Sequence, residues 1–324
     1  MANPAIINAS ELDYDAYTDQ QRDSYSELLA KRGVPESTLT PDFFRWKYNP
    51  PDGPARLCLV ADGGNIISST AFVPSGITCE GIGVTAWHAV DAATRRDFRG
   101  KGYFYSCIRA FFETLGPNEI FYGFPNASSL PTYRKIGVVE RLTVRTWVHS
   151  IGLSQGRKNP GIVRVKRFDE RLDKFFEGLS CGGNVTIMRG SERLNWRYAD
   201  HPINNYDLFI YDLNDVIEGC AVTRIAKVRG RPKAMIMELW SSGPESRREI
   251  LRSLGSRMRA SGQRMIFMMD SGISAVAGIR EGYVPVPQFL LPKRQVLILY
   301  APATAKHDLF ERNWRMQIGD WDVF

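Results

Sequence analysis

Two short runs rich in apolar and β-branched residues, Leu57-Cys58-Leu59-Val60 and Asn65 to Val73, flank the turn residues Asp62-Gly63-Gly64. That pattern predicts a β-hairpin. An apolar strand from Val84 to Ala92 leads through a basic, glycine-containing loop into a helix over Tyr103 to Leu115, whose residues Phe104, Ile108, Phe111, Phe112 and Leu115 share a face. A strand at Glu119 to Phe124 follows, then a short helix around Leu130 to Lys135, which Gly137 can cap.

The series recurs. Phe43-Phe44-Arg45-Trp46-Lys47-Tyr48 returns as Arg193-Leu194-Asn195-Trp196-Arg197-Tyr198, an offset of 150 residues, and Asp62, Ile66, Ile67 and Ala71 answer to Asp212, Val216, Ile217 and Ala221 in the same register. A second hairpin spans Leu208 to Arg224 around Leu213-Asn214. Strand Ala234 to Trp240, helix Glu245 to Arg259, strand Arg264 to Met269 and segment Ile273 to Gly282 complete the copy. Ser154 to Pro160, polar and rich in Gly, Lys and Asn, reads as the boundary. The expectation is an α/β chain of two units, 1–152 and 161–324, each with a mixed sheet flanked by helices. Trp46 and Trp196 read as core anchors.

Composition removes several classes. At 44% hydrophobic and 24% charged over 324 residues, the chain can bury cores and is too apolar for disorder. Its apolar runs, such as Gln295 to Pro302, fall short of the roughly 20 residues of a membrane span. Met1 to Leu12 lacks the layout of a secretory signal, so a cytoplasmic protein is expected and the Asn-Ala-Ser sequons at Asn8 and Asn126 carry no weight. The cysteines at 58, 79, 107, 181 and 220 form no C-x-x-C pair and read as reduced core residues. Histidines 88, 149, 201 and 307 lie far apart, and no metal site is expected. Gly152 to Gly156 and Gly178 to Gly182 match G-x-S-x-G but lack the strand-then-helix setting of a nucleophile elbow.

Charge is uneven. Residues 1–152 hold 15 Lys and Arg against 16 Asp and Glu, and the remainder hold 27 against 19. The excess is mostly arginine, which suits phosphate or carboxylate. An anionic small molecule fits it; so would nucleic acid on Arg224, Arg229, Arg231, Arg247, Arg248 and Arg252, the less favoured reading.

The sharpest local signal is Asp97-Phe98-Arg99-Gly100-Lys101-Gly102-Tyr103-Phe104, between a strand and a helix. Glycines let amides approach an anion, the helix start adds partial positive charge, and Arg99 and Lys101 add full charges. The loop is neither a dinucleotide fingerprint nor a Walker loop. With Asn126, Tyr133 and Gly137 downstream, residues 40–145 resemble the GCN5-related N-acetyltransferases, whose Q/R-x-x-G-x-G/A motif is matched at Arg99 and Gly102 and departed from at Phe104. The whole chain is similar, more weakly, to tandem members of that family.

The resemblance implies a splayed mixed sheet binding acetyl-CoA. Val90, Ala92 and Thr94 would offer backbone groups to the pantetheine arm. Amides of Arg99, Gly100, Lys101, Gly102, Tyr103 and Phe104 would hold the pyrophosphate, with Arg95 and Arg96 as further phosphate contacts. Tyr133 would be the general acid and Asn126 would order the turn after the splayed strand. His88 is the first candidate for general base and Asp91 the second; alternation puts them on opposite faces unless a bulge intervenes. The second copy carries Ser241-Ser242-Gly243-Pro244-Glu245-Ser246 where the loop should be, and Glu238 near the place of Ala89. It is therefore expected to bind acceptor or to be structural. The implied reaction is acetyl transfer to a primary amine of a small acceptor, an amino-sugar nucleotide or an amino acid. A catalytically silent CoA-binding module is the alternative.

Overall fold

A computed structural model describes residues 3–32, 36–78, 83–151, 159–179, 183–228, 230–287, 291, 296–305 and 308–321. Cys79, Cys181, Arg229, His307, most of the expected boundary and the serines of both G-x-S-x-G matches lie outside the described residues.

In chain order the elements are β1 (Ala5–Asn8), α1 (Tyr14–Arg32), α2 (Pro41–Tyr48), β2 (Arg56–Asp62), β3 (Asn65–Thr78), β4 (Val84–Thr94), α3 (Tyr103–Glu113), β5 (Glu119–Gly123), α4 (Leu130–Ile136), β6 (Val139–Thr143) and β7 (Thr146–Ser150). There follow β8 (Ile162–Val165), α5 (Arg171–Gly178), β9 (Thr186–Ile187), α6 (Ser191–Leu194), β10 (Asp207–Leu213), β11 (Val216–Val228), β12 (Arg231–Ser241), α7 (Pro244–Ala260), β13 (Met265–Met269), α8 (Ala275–Arg280), β14 (Tyr283–Pro285) and β15 (Val296–Tyr300). Both hairpins and the strand-helix-strand segments stand within a few residues of the positions that periodicity predicts.

Two compact units result. One comprises Met1–Leu142 with Val296–Glu311, the other Thr143–Gln295 with Arg312–Phe324. In the first, strands run β1-β2-β3-β4-β5-β15-β6; in the second, β8-β10-β11-β12-β13-β7-β14. The two orders correspond strand for strand, with β7 and β15 traded. A consecutive division at 152 and 161 cannot express this exchange, because an apolar five-residue strand does not encode which sheet it joins.

The first core packs Ile108, Phe111 and Phe112 of α3 on Phe72, Trp87, Phe121 and Ile298. The second packs Ile250, Leu251 and Leu254 of α7 on Ala221, Ile236, Leu239 and Ile266. Burying such side chains stabilises each unit by roughly 1.5–3 kcal/mol apiece. Cys58, Cys107 and Cys220 are buried free thiols.

Strand pairing corrects the repeat register. One hairpin closes on Asp62 and Asn65, the other on Leu213 and Val216, so Asp62 corresponds to Leu213 and the hairpin offset is 151. Gly63-Gly64 and Asn214-Asp215 both turn with positive φ, as a two-residue hairpin loop demands. Trp46 and Trp196 are half-buried; the buried apolar members of their motifs are Phe43, Phe44 and Tyr48 in the first copy and Leu194 and Tyr198 in the second.

Candidate functional site

β4 and β5 pair in parallel only from Thr85 and Glu119 to His88 and Tyr122. β5 then ends at Gly123 while β4 continues to Thr94. Among the described residues, Ala89–Thr94 therefore has β3 on one side and no paired strand on the other. β4 is also bulged here: Ala71 opposes Val90 and Ser69 opposes Ala93, so Thr70 faces both Asp91 and Ala92. Asp91 takes a φ of +50°. Val90 is buried, Ala92 is exposed and Thr94 is half-buried.

Arg95–Gly102 connects β4 to α3. Gly100 and Gly102 have φ values of +78° and +85°, and Gly102 starts α3 without any side-chain cap. A Cβ at either glycine would meet nothing within 4 Å. Arg96, Arg99 and Lys101 are exposed, and Arg95 is half-buried. Phe98 orders the loop, lying 4.9 Å from Lys101 Nζ and 6.0 Å from the Arg95 guanidinium. Arg99 Nε donates to the Thr94 carbonyl over 3.1 Å. Left-handed glycines, first-turn amides without a side-chain cap and four cations are features that suit an anion.

Tyr133 lies on α4, stacked on Phe121 at 5.5 Å and met edge-on by Phe104 at 5.6 Å. Phe104 thus packs on the candidate acid. Burial alone raises the Tyr133 phenol above its ordinary value, with neither hydrogen bond nor charge contributing. Asn126 Oδ1 accepts from Ser128 N (2.9 Å), Ser128 Oγ (2.6 Å) and Ser129 N (3.0 Å). Its carboxamide oxygen is committed to the turn between β5 and α4.

His88 and Asp91 do not alternate as a regular strand would. Trp87 and Ala89 pack with the α3 core, so His88 faces the other way, stacked on Tyr122 at 4.7 Å with Phe124 edge-on at 6.2 Å. Past the bulge Asp91 turns to α2, where Lys47 Nζ lies 2.8 Å from Oδ1 and Tyr48 Oη donates to Oδ2 over 3.0 Å. Tyr17 Oη lies 3.1 Å from Tyr48 Oη. The sequence singled out neither Lys47 nor Tyr48 for the site; recurrence of Tyr48 as Tyr198 was the available signal.

The second unit opens its sheet in the same way. β12 and β13 pair only from Ala234 and Ile266 to Ile236 and Met268, and β12 runs on to Ser241. Its register against β11, set beside that of β4 against β3, matches His88 to Met235 and Thr94 to Ser241. Counting along the strand between these anchors sets Glu238 against Asp91, not near Ala89, and Leu239 against Ala92, although β12 has its own bulge at Met237, so that Glu238 opposes Val222 where Val90 opposes Ala71. Tyr198 Oη donates to Glu238 Oε1 over 2.8 Å, as Tyr48 does to Asp91. Arg189 and Trp240 Nε1 complete the Glu238 contacts.

This second opening is filled from within the unit. Leu239 N donates to Gln317 Oε1 over 2.7 Å, and Gln317 Nε2 donates to the Leu239 carbonyl over 3.2 Å. Ser271 N donates to the Met316 carbonyl, Gln317 bridges to Asp270, and Arg315 reaches Asp270 Oδ2. Only Ser242 and Gly243 join β12 to α7, whose first residue is Pro244. An eight-residue cradle is replaced by two residues and a proline without an N–H.

The arginine excess is largely paired. Arg247 is buried against Glu281, while Arg248 and Arg252 pair with Glu245 and Glu249. Arg224 donates to Asn204 Oδ1 over 2.6 Å. A cavity of about 500 Å³ in this unit is lined by residues including Arg164, Lys166, His201, Asn204 and Tyr206. Arg164 pairs with Asp207; Lys166 is exposed. Among the described residues no helix is long and apolar enough to cross a membrane, and no cluster of three metal-ligating side chains occurs.

The sequence matches no protein-family model and no curated protein. Solved structures do match. A probable N-acyltransferase of unknown function from Enterococcus faecalis V583 superposes with a TM-score of 0.67 at 11% identity, covering 92% of this chain and 73% of that one. A GCN5-related N-acetyltransferase from Anabaena variabilis gives 0.65 at 11% identity, covering 91% and 72%. N-myristoyltransferase from Saccharomyces cerevisiae, solved with myristoyl-CoA, gives 0.58 at 9% identity, covering 97% and 84%. The chain has the fold that these acyltransferases share.

Proposed function

We propose that this chain, built on the GCN5-related N-acetyltransferase fold, is an acyl-CoA-dependent N-acyltransferase that binds its acyl donor in the first unit and acylates a primary amine. The observation that carries the reading is the contrast between two corresponding openings. One keeps a glycine cradle and an exposed Ala92, whereas the other has a two-residue connection and Gln317 on Leu239.

The residues present fit such a donor. Amides of Gly100, Lys101, Gly102, Tyr103 and Phe104 suit a pyrophosphate, Arg95, Arg96 and Arg99 add charge, and Ala92 and Thr94 present a strand edge to an amide-bearing arm. When bound, the thioester supplies an activated acyl group, and we take acetyl as that group. Tyr133, kept protonated by burial, is the proton donor to the departing sulfur. His88 is the candidate base that accepts the amine proton, so that the amine attacks directly with both substrates bound. The arginine-rich composition of residues 153–324 favours an acceptor with an anionic group.

Calorimetry with CoA and acetyl-CoA, followed by thiol release over a panel of amines, tests the reading. One CoA site per chain with release on an amine is expected. Binding without release on any amine would make the protein a silent CoA binder, and no binding would overturn both.

A further inference from the structure

Among the described residues, three that are not glycine have positive φ: Asn214 and Asp215 at a hairpin tip that requires it, and Asp91 inside a strand. A left-handed residue within a strand is strained and persists only where its surroundings hold it. Around Asp91 they do. Its side chain is 1% exposed and that of Lys47 8%, and Lys47 Nζ and Tyr48 Oη each hold one of its oxygens.

The second unit supplies an internal control. Glu238 occupies the corresponding place and is gripped by the corresponding tyrosine, yet its φ is not positive. There the next residue, Leu239, has its amide and carbonyl taken by Gln317. In the first unit the next residue is Ala92, exposed at the unpaired side of β4. The strained backbone accompanies the open cleft and is missing from the filled one.

We propose that Asp91 is a positioning residue and not the base: its carboxylate, clamped by Lys47 and Tyr48, holds the left-handed bulge that aims the Ala92 amide and carbonyl at the acyl donor. The proposal rests on the reading of the first unit as the donor site. It also accounts for a carboxylate whose two oxygens are both engaged on the side of α2.

Glycine takes positive φ without steric cost, whereas alanine does not. The test therefore compares D91G/K47M with D91A/K47M, the Lys47 change removing the ammonium that loss of Asp91 would strand in the interior. Thermal unfolding first establishes that both variants fold, and D91N with Lys47 intact serves if either does not. The glycine variant should keep CoA affinity within about threefold and the wild-type pH profile of kcat/KM, while the alanine variant loses about tenfold or more in affinity, as relaxation of one strained residue implies. The Ala92 amide resonance of the CoA-free protein should stay in place in the glycine variant and move in the alanine variant. Equal CoA affinity and an unmoved Ala92 resonance in both variants overturn the proposal. Loss of the acid limb in the glycine variant, with affinity retained, makes Asp91 the base and also overturns it. If the wild type binds no CoA, the donor-site reading falls, and the Ala92 resonance still decides whether Asp91 holds the bulge.

Discussion

Gln317 brackets Leu239, taking its N–H on Oε1 at 2.7 Å and giving Nε2 to its carbonyl at 3.2 Å. A single carboxamide thus acts as the missing neighbour strand for one residue of β12. All four groups are buried, so the arrangement satisfies a donor and an acceptor that the splay of β12 from β13 would otherwise strand. The same splay in the first unit leaves Ala92 exposed.

Replacing Gln317 with Ala should lower stability by about 1–3 kcal/mol, the cost of leaving the buried Leu239 N–H unpaired while its carbonyl keeps only Arg315 Nη2 at 3.4 Å. Urea unfolding followed by tryptophan fluorescence reads the change, since Trp240 and Trp314 are buried in that unit. CoA stoichiometry should remain one per chain. A second CoA bound by the variant would show that the cleft itself, and not only its filling, still suits a donor.

Gly102→Ala places a Cβ on a residue with φ of +85° at the start of α3, in open space. The penalty is conformational, about 1 kcal/mol of stability. Because the same backbone aims the first-turn amides, CoA affinity should drop by about tenfold, more than the stability change alone accounts for. Calorimetry on G102A beside K101A separates the two contributions: only the lysine change should flatten the salt dependence of binding.

Among the described residues, no hydrogen bond contributes at the oxygen that Tyr133→Phe removes. Stability should therefore change by less than about 0.5 kcal/mol. If Tyr133 is the acid, kcat falls by about 10²–10⁴ while KM for the acyl donor holds. A variant as fast as the wild type would remove Tyr133 from the chemistry.

Elements and loop were legible because their signals are local: the apolar run at Leu57–Val60 before Asp62-Gly63-Gly64, the face of α3, and the glycines at 100 and 102. α1 was not, because its buried face mixes Tyr17 and Leu29 with Thr18 and Gln21 and breaks the apolar stripe. The exchange of β7 and β15 was hidden because either strand has the pattern to join either sheet. Within the site, the Asp91 bulge and the reach of Gln317 to Leu239, 78 residues away, follow from tertiary pairing that no local pattern records.

Buried phenols give the stability a direction in pH. Burial is the largest cause raising Tyr17, Tyr48 and Tyr133 in the first unit and Tyr198 and Tyr283 in the second above the ordinary value of 10. In the unfolded chain each ionises near its ordinary value. Below that pH both states hold the proton and stability is unaffected; above it the unfolded state gives up protons that the folded state keeps, so stability falls as pH rises. Each phenol can contribute about 1.4 kcal/mol per pH unit over that range. Urea midpoints should begin to fall above about pH 9, where burial likewise raises the Cys220 thiol above its ordinary value of 9, and then drop steeply above about 10. Absorbance of the 13 tyrosines at the phenolate band should rise in two stages, an early one for exposed rings and a late one that coincides with loss of tryptophan fluorescence. One smooth titration of every tyrosine in the still-folded protein would contradict the burial of these five rings.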